Sequence, residues 1–139
     1  MQAYQASCVA INGRALLIEG VPGSGKSSLA LALIDRGAVL IGDDAVMLGA
    51  TDGHLCAHPH PNTRGLLEVR NLGLLPFTVC EQAPAALVVR LTLQAPRYIE
   101  VAESVEIANF TMPMIQLYPD CIALALRAEL ALERFGLRF

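Results

Sequence analysis

The sequence of 139 residues lacks several features that would assign it to a particular functional class. It has no cluster of Lys or Arg and its net charge is −3, so a nucleic-acid-binding surface is not expected. Charged residues interrupt every apolar run before it reaches bilayer-spanning length, which predicts no membrane partner. The N-terminus has no basic region followed by an apolar one, so no signal peptide is expected.

Cysteine usage bears on the cellular compartment. Cys8, Cys56, Cys80 and Cys121 are widely separated, and the sequence has no Cys-x-x-Cys pair. This spacing favours reduced thiols in the cytoplasm over a disulfide framework or a structural zinc site. Cys8 and Cys121 lie in apolar runs, which predicts that both belong to the core.

The composition predicts one folded domain. Hydrophobic residues make up 54% of the chain, enough for a real core, and the length fits a single unit. No internal repeat or low-complexity linker divides the sequence. We therefore expect a single domain over residues 1–139.

A phosphate-binding motif is the most informative feature of the sequence. The segment Gly20-Val21-Pro22-Gly23-Ser24-Gly25-Lys26-Ser27 fits the P-loop pattern of Gly, four variable residues, Gly-Lys and a hydroxyl residue. Its glycines let backbone N–H groups surround a phosphate, its lysine neutralises terminal phosphates, and its serine hydroxyl can bind Mg²⁺. The predicted nucleotide-binding residues are Gly20, Val21, Pro22, Gly23, Ser24, Gly25, Lys26, Ser27 and Ser28.

The residues around the motif have the required context. Residues 15–18 form an apolar run of strand length, and residues 27–36 consist mainly of strong helix formers. Gly37 stands where a helix C-cap is expected. A helix that begins at the loop adds its positive N-terminal dipole to the anion site.

The rest of the chain predicts a strand-rich α/β domain with two main helices. Asn12-Gly13 and Thr51-Asp52-Gly53 are hairpin turns that join residues 7–11 to 14–18 and residues 46–50 to 54–57. A loop is predicted over residues 58–65, and a helix over residues 120–135 with Ile122, Leu126 and Leu130 on one face. Further strands are predicted over residues 38–41, 66–69, 72–79, 86–92, 98–101, 105–107 and 114–117.

Two adjacent carboxylates follow the strand that comes after the P-loop helix. Asp43 and Asp44 end the predicted strand 38–41, and this topology can return them to the sheet edge that holds the phosphates. One carboxylate could then help hold Mg²⁺ while the other accepts the proton of an attacking hydroxyl. The alternative is a solvated turn. The neighbouring P-loop favours the site.

These segments together resemble the HPr kinase/phosphorylase family. The resemblance rests on Gly20 to Ser27, on the sequence through Gly37 to Asp43-Asp44, and on residues 67–73 with the sequence Leu-Glu-Val-Arg-Asn-Leu-Gly. It extends from about residue 5 to about residue 100 and then weakens. It implies the P-loop-containing α/β core of HPr kinase and phosphoenolpyruvate carboxykinase, here as one catalytic domain without the family's N-terminal domain.

The resemblance also implies an activity. It implies transfer of the ATP γ-phosphate to a serine of HPr, or of a related phosphocarrier protein of the phosphotransferase system, and reversal of this reaction by phosphorolysis. ATP and Mg²⁺ are the implied cofactors. Members of the family assemble, so a homo-oligomer is a further expectation. The apolar stripe of residues 120–135 is expected to pack in the core, and it is the best place for a contact between subunits.

Roles for individual residues follow from the same resemblance. Lys26 holds the β- and γ-phosphates, and Ser27 with Glu68 binds Mg²⁺. Asp44 accepts the proton in the kinase direction and donates it in reverse, with Asp43 in support. The implied catalytic residues are Lys26, Asp43, Asp44, Arg70 and Arg97.

The sequence departs from the family pattern at three places. Gln5 stands where the family has a catalytic histidine, and glutamine does not exchange a proton near neutral pH. Asn71 replaces a glycine, which a left-handed backbone would tolerate. Residues 112–119 lack the family's Gly-Arg-Asn segment, which makes phosphorolysis a weaker expectation than kinase activity.

Two further interpretations remain open. His54, Cys56, His58 and His60 have metal-binding chemistry, but no second cluster completes a tetrahedral site, so a surface loop is favoured, with one histidine as a candidate substitute at the active site. Two alternatives to the phosphocarrier kinase also remain open. One is a P-loop enzyme that acts on a small molecule or on water, and the other is an ATP-binding regulator without catalysis. ATP turnover without a protein acceptor would favour the former, and tight ATP binding without transfer the latter.

Overall fold

The computed structural model describes residues 1–119 and 121–139. The elements follow the order β1 (Gln2–Tyr4), β2 (Ser7–Ile11), β3 (Arg14–Gly20), α1 (Lys26–Asp35), β4 (Val39–Gly42), β5 (Val46–Thr51), β6 (His54–Pro59), β7 (Leu66–Val69), β8 (Gly73–Pro76), β9 (Ala83–Leu91), β10 (Glu103–Ile107), β11 (Phe110–Leu117) and α2 (Leu124–Phe135). The predicted strand-rich α/β fold with two main helices is confirmed. In the part of the chain described, no helix has the length and apolar character needed to cross a membrane.

Strand β9 is the centre of the main sheet. The strand order is β1-β5-β6-β9-β3-β2-β4, and β11 also pairs with β9 and carries β10 at its outer edge. Strand β9 runs parallel to β3 from Ala15↔Ala85 to Gly20↔Leu91, and parallel to β11. Most of its residues are buried, as is typical of parallel strands with both faces covered. Strands β7 and β8 form a separate two-stranded hairpin.

Alternation along the strands divides the core into two clusters. Successive side chains of a strand point to opposite faces, so Leu16 and Ile18 join one cluster and Leu17 joins the other. Both helices contribute to the first cluster, through Leu29 and Leu33 of α1 among others. The second cluster gathers buried residues of β5, β6 and β11 on the opposite face.

Helix α2 buries a different face from the one predicted. The prediction placed its start at residue 120, but the helix begins at Leu124, and Asp120 lies outside the described residues. The stripe of Ile122, Leu126 and Leu130 is exposed rather than packed in the core. The buried residues of the helix are Leu124, Ala128, Ala131 and Leu132. The small alanines permit close approach to the sheet, and this packing decides which apolar face turns inward.

Both predicted hairpins are confirmed. Asn12 and Gly13 have φ of 50° and 83°, and Asp52 and Gly53 have φ of 53° and 80°, the positive values that such two-residue turns require. Asn71 has φ of 74°, so the left-handed backbone that would tolerate this departure from the family pattern is present.

Three segments differ from the prediction. Residues 98–101 form no strand, and β8 ends at Pro76 rather than extending to residue 79. The predicted loop over 58–65 is shorter, because β6 continues to Pro59 and is held by its pairing with β5. Cys8 is buried as expected, and burial raises the pKa of its thiol, whereas Cys121 is only partly buried.

Truncation of a sheet residue should test the first core cluster. We expect Leu16→Ala to lower the free energy of unfolding by about 3 kcal/mol, because Leu16 is fully buried between the sheet and the helices. Leu74→Ala is the matched control, since Leu74 is 64% exposed and should cost less than about 0.5 kcal/mol. Urea denaturation measures both values, and equal losses would contradict this description of the core.

Candidate functional site

The phosphate-binding loop connects the end of β3 to the start of α1. Gly20 ends the strand, and a Cβ at this position would collide with the side chain of Ser24 and approach the carbonyl oxygen of Leu91 to 3.3 Å. Gly25 caps the helix with φ of 99°, a conformation that favours glycine. The loop therefore needs glycine at both ends.

The loop and the helix supply donors for an anion. Lys26, the sole lysine of the chain, donates from Nζ to the carbonyl oxygens of Gly20 at 2.9 Å and Val21 at 3.3 Å, which holds its charge at the loop. The first intrahelical bond runs from Leu29 N to Gly25 O, so the N–H groups before it have no helical partner. Ser24 Oγ is buried without a hydrogen-bond partner in the described residues. These groups fit the phosphate oxygens of a nucleotide.

Asp43 connects the loop to two other parts of the fold. Its Oδ1 accepts hydrogen bonds from Ser27 Oγ at 2.6 Å and from Ser7 Oγ at 2.9 Å, and its Oδ2 accepts one from the Glu68 backbone N–H at 3.0 Å. Asp43 is only 8% exposed. Strands β3 and β4 are both antiparallel to β2 and hence run in the same direction, so their carboxyl ends meet at one edge. The sequence predicted this edge for the carboxylate.

Asp44 occupies a different environment from its neighbour. It is exposed, with φ of 67°, and its backbone N–H donates to Ser7 Oγ at 3.2 Å. No hydrogen bond to its carboxylate occurs within the described residues. The turn thus buries one aspartate against Ser27 and presents the other to solvent.

The β7–β8 hairpin brings Glu68 to this edge. Glu68 contacts Asp43 through its backbone, and its side chain is exposed. Arg70 follows in the turn and is also exposed. The described residues contain no group of three or more His, Cys, Asp or Glu side chains that could hold a metal alone. The oxygen donors of Ser27, Asp43 and Glu68 fit Mg²⁺ only together with phosphate oxygens, which is the usual Mg²⁺ site of phosphoryl-transfer enzymes.

A cavity of about 840 Å³ opens beside the loop. Gln5 lines it, together with the loop residues Gly20 to Ser24 and the end of β9. Arg97 does not line this cavity and instead lines a second one against helix α2. None of His54, His58 and His60 lines the first cavity.

The sequence-based prediction did not include the polar cluster of Tyr4, Glu19 and Arg90 in this cavity. Glu19 accepts hydrogen bonds from the hydroxyl of Tyr4 and from Arg90 Nη2, the latter at 3.0 Å. Glu19 and Arg90 are register partners on parallel strands β3 and β9. They lie 71 positions apart in the sequence, which gives no signal of this pairing. Ser7 was also missed, because a serine within an apolar strand gives no functional signal.

The chain is similar to several known proteins. The family model of the HPr serine kinase C-terminal domain matches residues 1–95. HPr kinase/phosphorylase of Clostridium beijerinckii is 46% identical over 70 residues, which are 50% of this chain and 23% of that protein. HPr kinase/phosphorylase of Mycoplasma mycoides subsp. mycoides is 32% identical over 93 residues, 62% of this chain and 30% of that protein. The matched part thus spans about a quarter of the length of these relatives.

A solved structure shows the same fold. The Hpr(Ser) kinase/phosphatase from Coxiella burnetii superposes with a TM-score of 0.81 and 23% sequence identity. The match covers 96% of this chain and 90% of the solved chain. The resemblance inferred from the sequence is confirmed, and the structural match extends beyond residue 100, where the sequence resemblance weakens.

Loss of the Ser7 hydroxyl should weaken the connection at Asp43. We expect Ser7→Ala to lower the free energy of unfolding by about 1–2 kcal/mol, because it removes a donor to a buried carboxylate and an acceptor from the Asp44 N–H. Ser104→Ala, at an exposed position of β10, should change stability by less than about 0.5 kcal/mol. Urea titration compares the two, and no difference between them would contradict this role of Ser7.

Tyr4 should contribute to stability in a pH-dependent way. Burial, and then the hydrogen bond to Glu19, raises the pKa of the Tyr4 phenol above its ordinary value. The folded state keeps this proton at pH values where the unfolded chain releases it. The contribution is therefore complete below about pH 10 and is lost as the pH rises further. Denaturation from pH 7 to 11 should show a larger alkaline loss for the natural protein than for Tyr4→Phe, and identical profiles would refute this.

Proposed function

Because this chain belongs to the HPr serine kinase C-terminal domain family, we propose that it transfers the γ-phosphate of ATP to a serine of HPr or of a related phosphocarrier protein. The observation that supports this most directly is the 2.6 Å contact between Ser27 of the phosphate-binding loop and the buried Asp43 carboxylate. That contact places a carboxylate beside the hydroxyl that would bind Mg²⁺. Kinase chemistry needs such a carboxylate at the phosphates.

The residues of the site would have two roles, binding of the nucleotide with Mg²⁺ and proton transfer. The loop N–H groups, Ser24 Oγ and Lys26 would hold the phosphates, and Ser27, Asp43 and Glu68 would hold Mg²⁺. Mg²⁺, when bound, supplies positive charge that neutralises the phosphate oxygens. The chain itself needs to supply positioning and a proton acceptor.

Asp44 is the better proton acceptor of the two aspartates. The Asp43 carboxylate already accepts three hydrogen bonds, whereas the Asp44 carboxylate faces solvent, from which a protein substrate would approach. In the proposed step the serine oxygen of the phosphocarrier bonds to the γ-phosphorus, the bond from that phosphorus to the β-phosphate oxygen breaks, and the serine proton passes to Asp44. ADP and the phosphoserine protein are the products. The reverse phosphorolysis would require Asp44 to return the proton.

Gln5 supports a second candidate function. It lines the loop cavity where the family resemblance implies a histidine, and it cannot exchange a proton near neutral pH. A chain that binds ATP and has lost transfer would act as a regulator. The kinase would form a phosphoserine protein and the regulator would not, so a measurement of that product distinguishes the two functions.

Intact-mass analysis of HPr incubated with this chain and magnesium ATP tests the proposal. We expect an acid-stable gain of one phosphate on serine, its loss with Lys26→Ala, and a decrease of about a hundredfold or more with Asp44→Asn. Asp44→Asn should leave ATP binding intact, which equilibrium dialysis measures. Full transfer by Asp44→Asn would exclude Asp44 as the base. ATP binding with no transfer to HPr or to other phosphocarriers would favour the regulator.

Restoration of a histidine at position 5 is a complementary test. Gln5 is exposed and lies between β1 and β2, so Gln5→His should fold normally. We expect it to raise the transfer rate by roughly tenfold or more, because histidine adds a group that exchanges protons near neutral pH. Gln2→His, on the exposed strand β1, is the matched control and should leave the rate unchanged. An unchanged rate in both variants would show that transfer does not depend on a proton-exchanging group at position 5.

A further inference from the structure

A second cavity, of about 630 Å³, is lined by several positive charges although the net charge of the chain is negative. Arg97, Arg127 and Arg134 line it, which is three of the ten Lys and Arg residues of a protein whose net charge is −3. Its lining includes no Asp or Glu among the residues described. The cavity lies between the segment after β9, the end of β11 and the exposed side of α2. It shares no lining residue with the cavity beside the phosphate-binding loop.

Helix α2 separates its acidic residues from these arginines. Glu129 binds Arg36 at 2.9 Å, and Glu133 lies within 3.6 Å of Arg14 and 3.4 Å of Arg138. These acids are therefore neutralised by cations outside the cavity. Arg127 and Arg134 are seven residues apart, about two helical turns, so they project from the same side of the helix. Within residues 1–119 and 121–139, none of the three cavity arginines forms a salt bridge.

The rest of the lining is mainly apolar and aromatic. The guanidinium of Arg134 lies 5.0 Å from the ring centroid of Phe135, and exposed Tyr98 and Tyr118 add two more rings. Exposed Leu130 supplies an aliphatic surface between the arginines. Ile99, Ile115 and Leu117 add further apolar surface. The volume lies within the range of sites for small organic molecules.

We infer that this cavity binds a small organic anion with an apolar or aromatic body and a carboxylate, phosphate or sulfonate group. Guanidinium groups bind such anionic groups through paired N–H donors, and the apolar lining accepts the body of the ligand. A purely polar anion would leave the apolar lining uncovered, and a neutral apolar molecule would gain nothing from the three guanidinium groups. In this proposal Arg97 binds the organic anion beside α2 and has no role at the phosphate-binding loop.

Titration with a pair of fluorescent probes tests the site. The anion 8-anilino-1-naphthalenesulfonate carries an aromatic body and a sulfonate, and N-phenyl-1-naphthylamine carries nearly the same body without charge. We expect saturable binding of one sulfonate probe per chain and at least tenfold weaker binding of the neutral probe. We expect Arg127→Gln and Arg134→Gln each to lower the affinity for the sulfonate probe by roughly three- to tenfold.

Control variants separate this site from the rest of the molecule. Arg138→Gln removes a nearby arginine that binds Glu133 rather than the cavity, and Lys26→Ala removes the cation of the phosphate-binding loop. Both should leave the affinity of the sulfonate probe unchanged, and thermal unfolding checks that every variant is folded. Sedimentation velocity at the titration concentrations tests whether a second copy of the chain covers the cavity.

The proposal is overturned by any of three results. Equal affinity for the two probes would show that the arginines play no part. Loss of binding in Lys26→Ala would place the probe at the phosphate-binding loop. Affinity that falls as the chain self-associates, with the Arg127→Gln and Arg134→Gln variants remaining monomeric, would make this face a contact between subunits instead.

Discussion

The buried carboxylate of Asp43 is the interaction on which the candidate site depends. It accepts hydrogen bonds from β2 through Ser7, from the phosphate-binding loop through Ser27, and from the β7–β8 hairpin through the backbone of Glu68. A buried charge is costly unless its lone pairs are satisfied, and three donors satisfy this one. These hydrogen bonds hold the three segments together beside the proposed Mg²⁺ and phosphate site. The next residue, Asp44, has a left-handed backbone conformation and is exposed to solvent.

The parallel pairing of β3 with β9 builds the other side of the site. It places Leu91 against Gly20, so the phosphate-binding loop begins where two buried strands end together. One residue earlier, the same register sets Arg90 opposite Glu19, and Tyr4 completes a polar cluster beside the loop. Ligands of α/β proteins commonly bind at the carboxyl ends of parallel strands, and this cavity follows that rule.

Helix α2 shows how packing redistributes charge and apolar surface. Its alanines and two leucines pack against the sheet, which leaves Leu126 and Leu130 exposed and directs Glu129 and Glu133 toward arginines of other elements. The arginines that remain lie together on the side that faces the segment after β9. A chain with negative net charge thus contains a strongly positive cavity, and its location does not follow from composition.

Sequence alone determined the local features of this protein. The glycine spacing of the loop and the Asn12-Gly13 and Asp52-Gly53 turns follow from backbone preferences of single residues and their neighbours. The order of strand and helix added the expectation that Asp43 and Asp44 return to the edge of the sheet that holds the loop. Tertiary structure decided which aspartate meets Ser27, which face of α2 is buried, that Glu19 pairs with Arg90, and that Arg97 lies in the other cavity. These outcomes depend on strand register and on packing between residues distant in sequence, and neither is encoded in any local pattern.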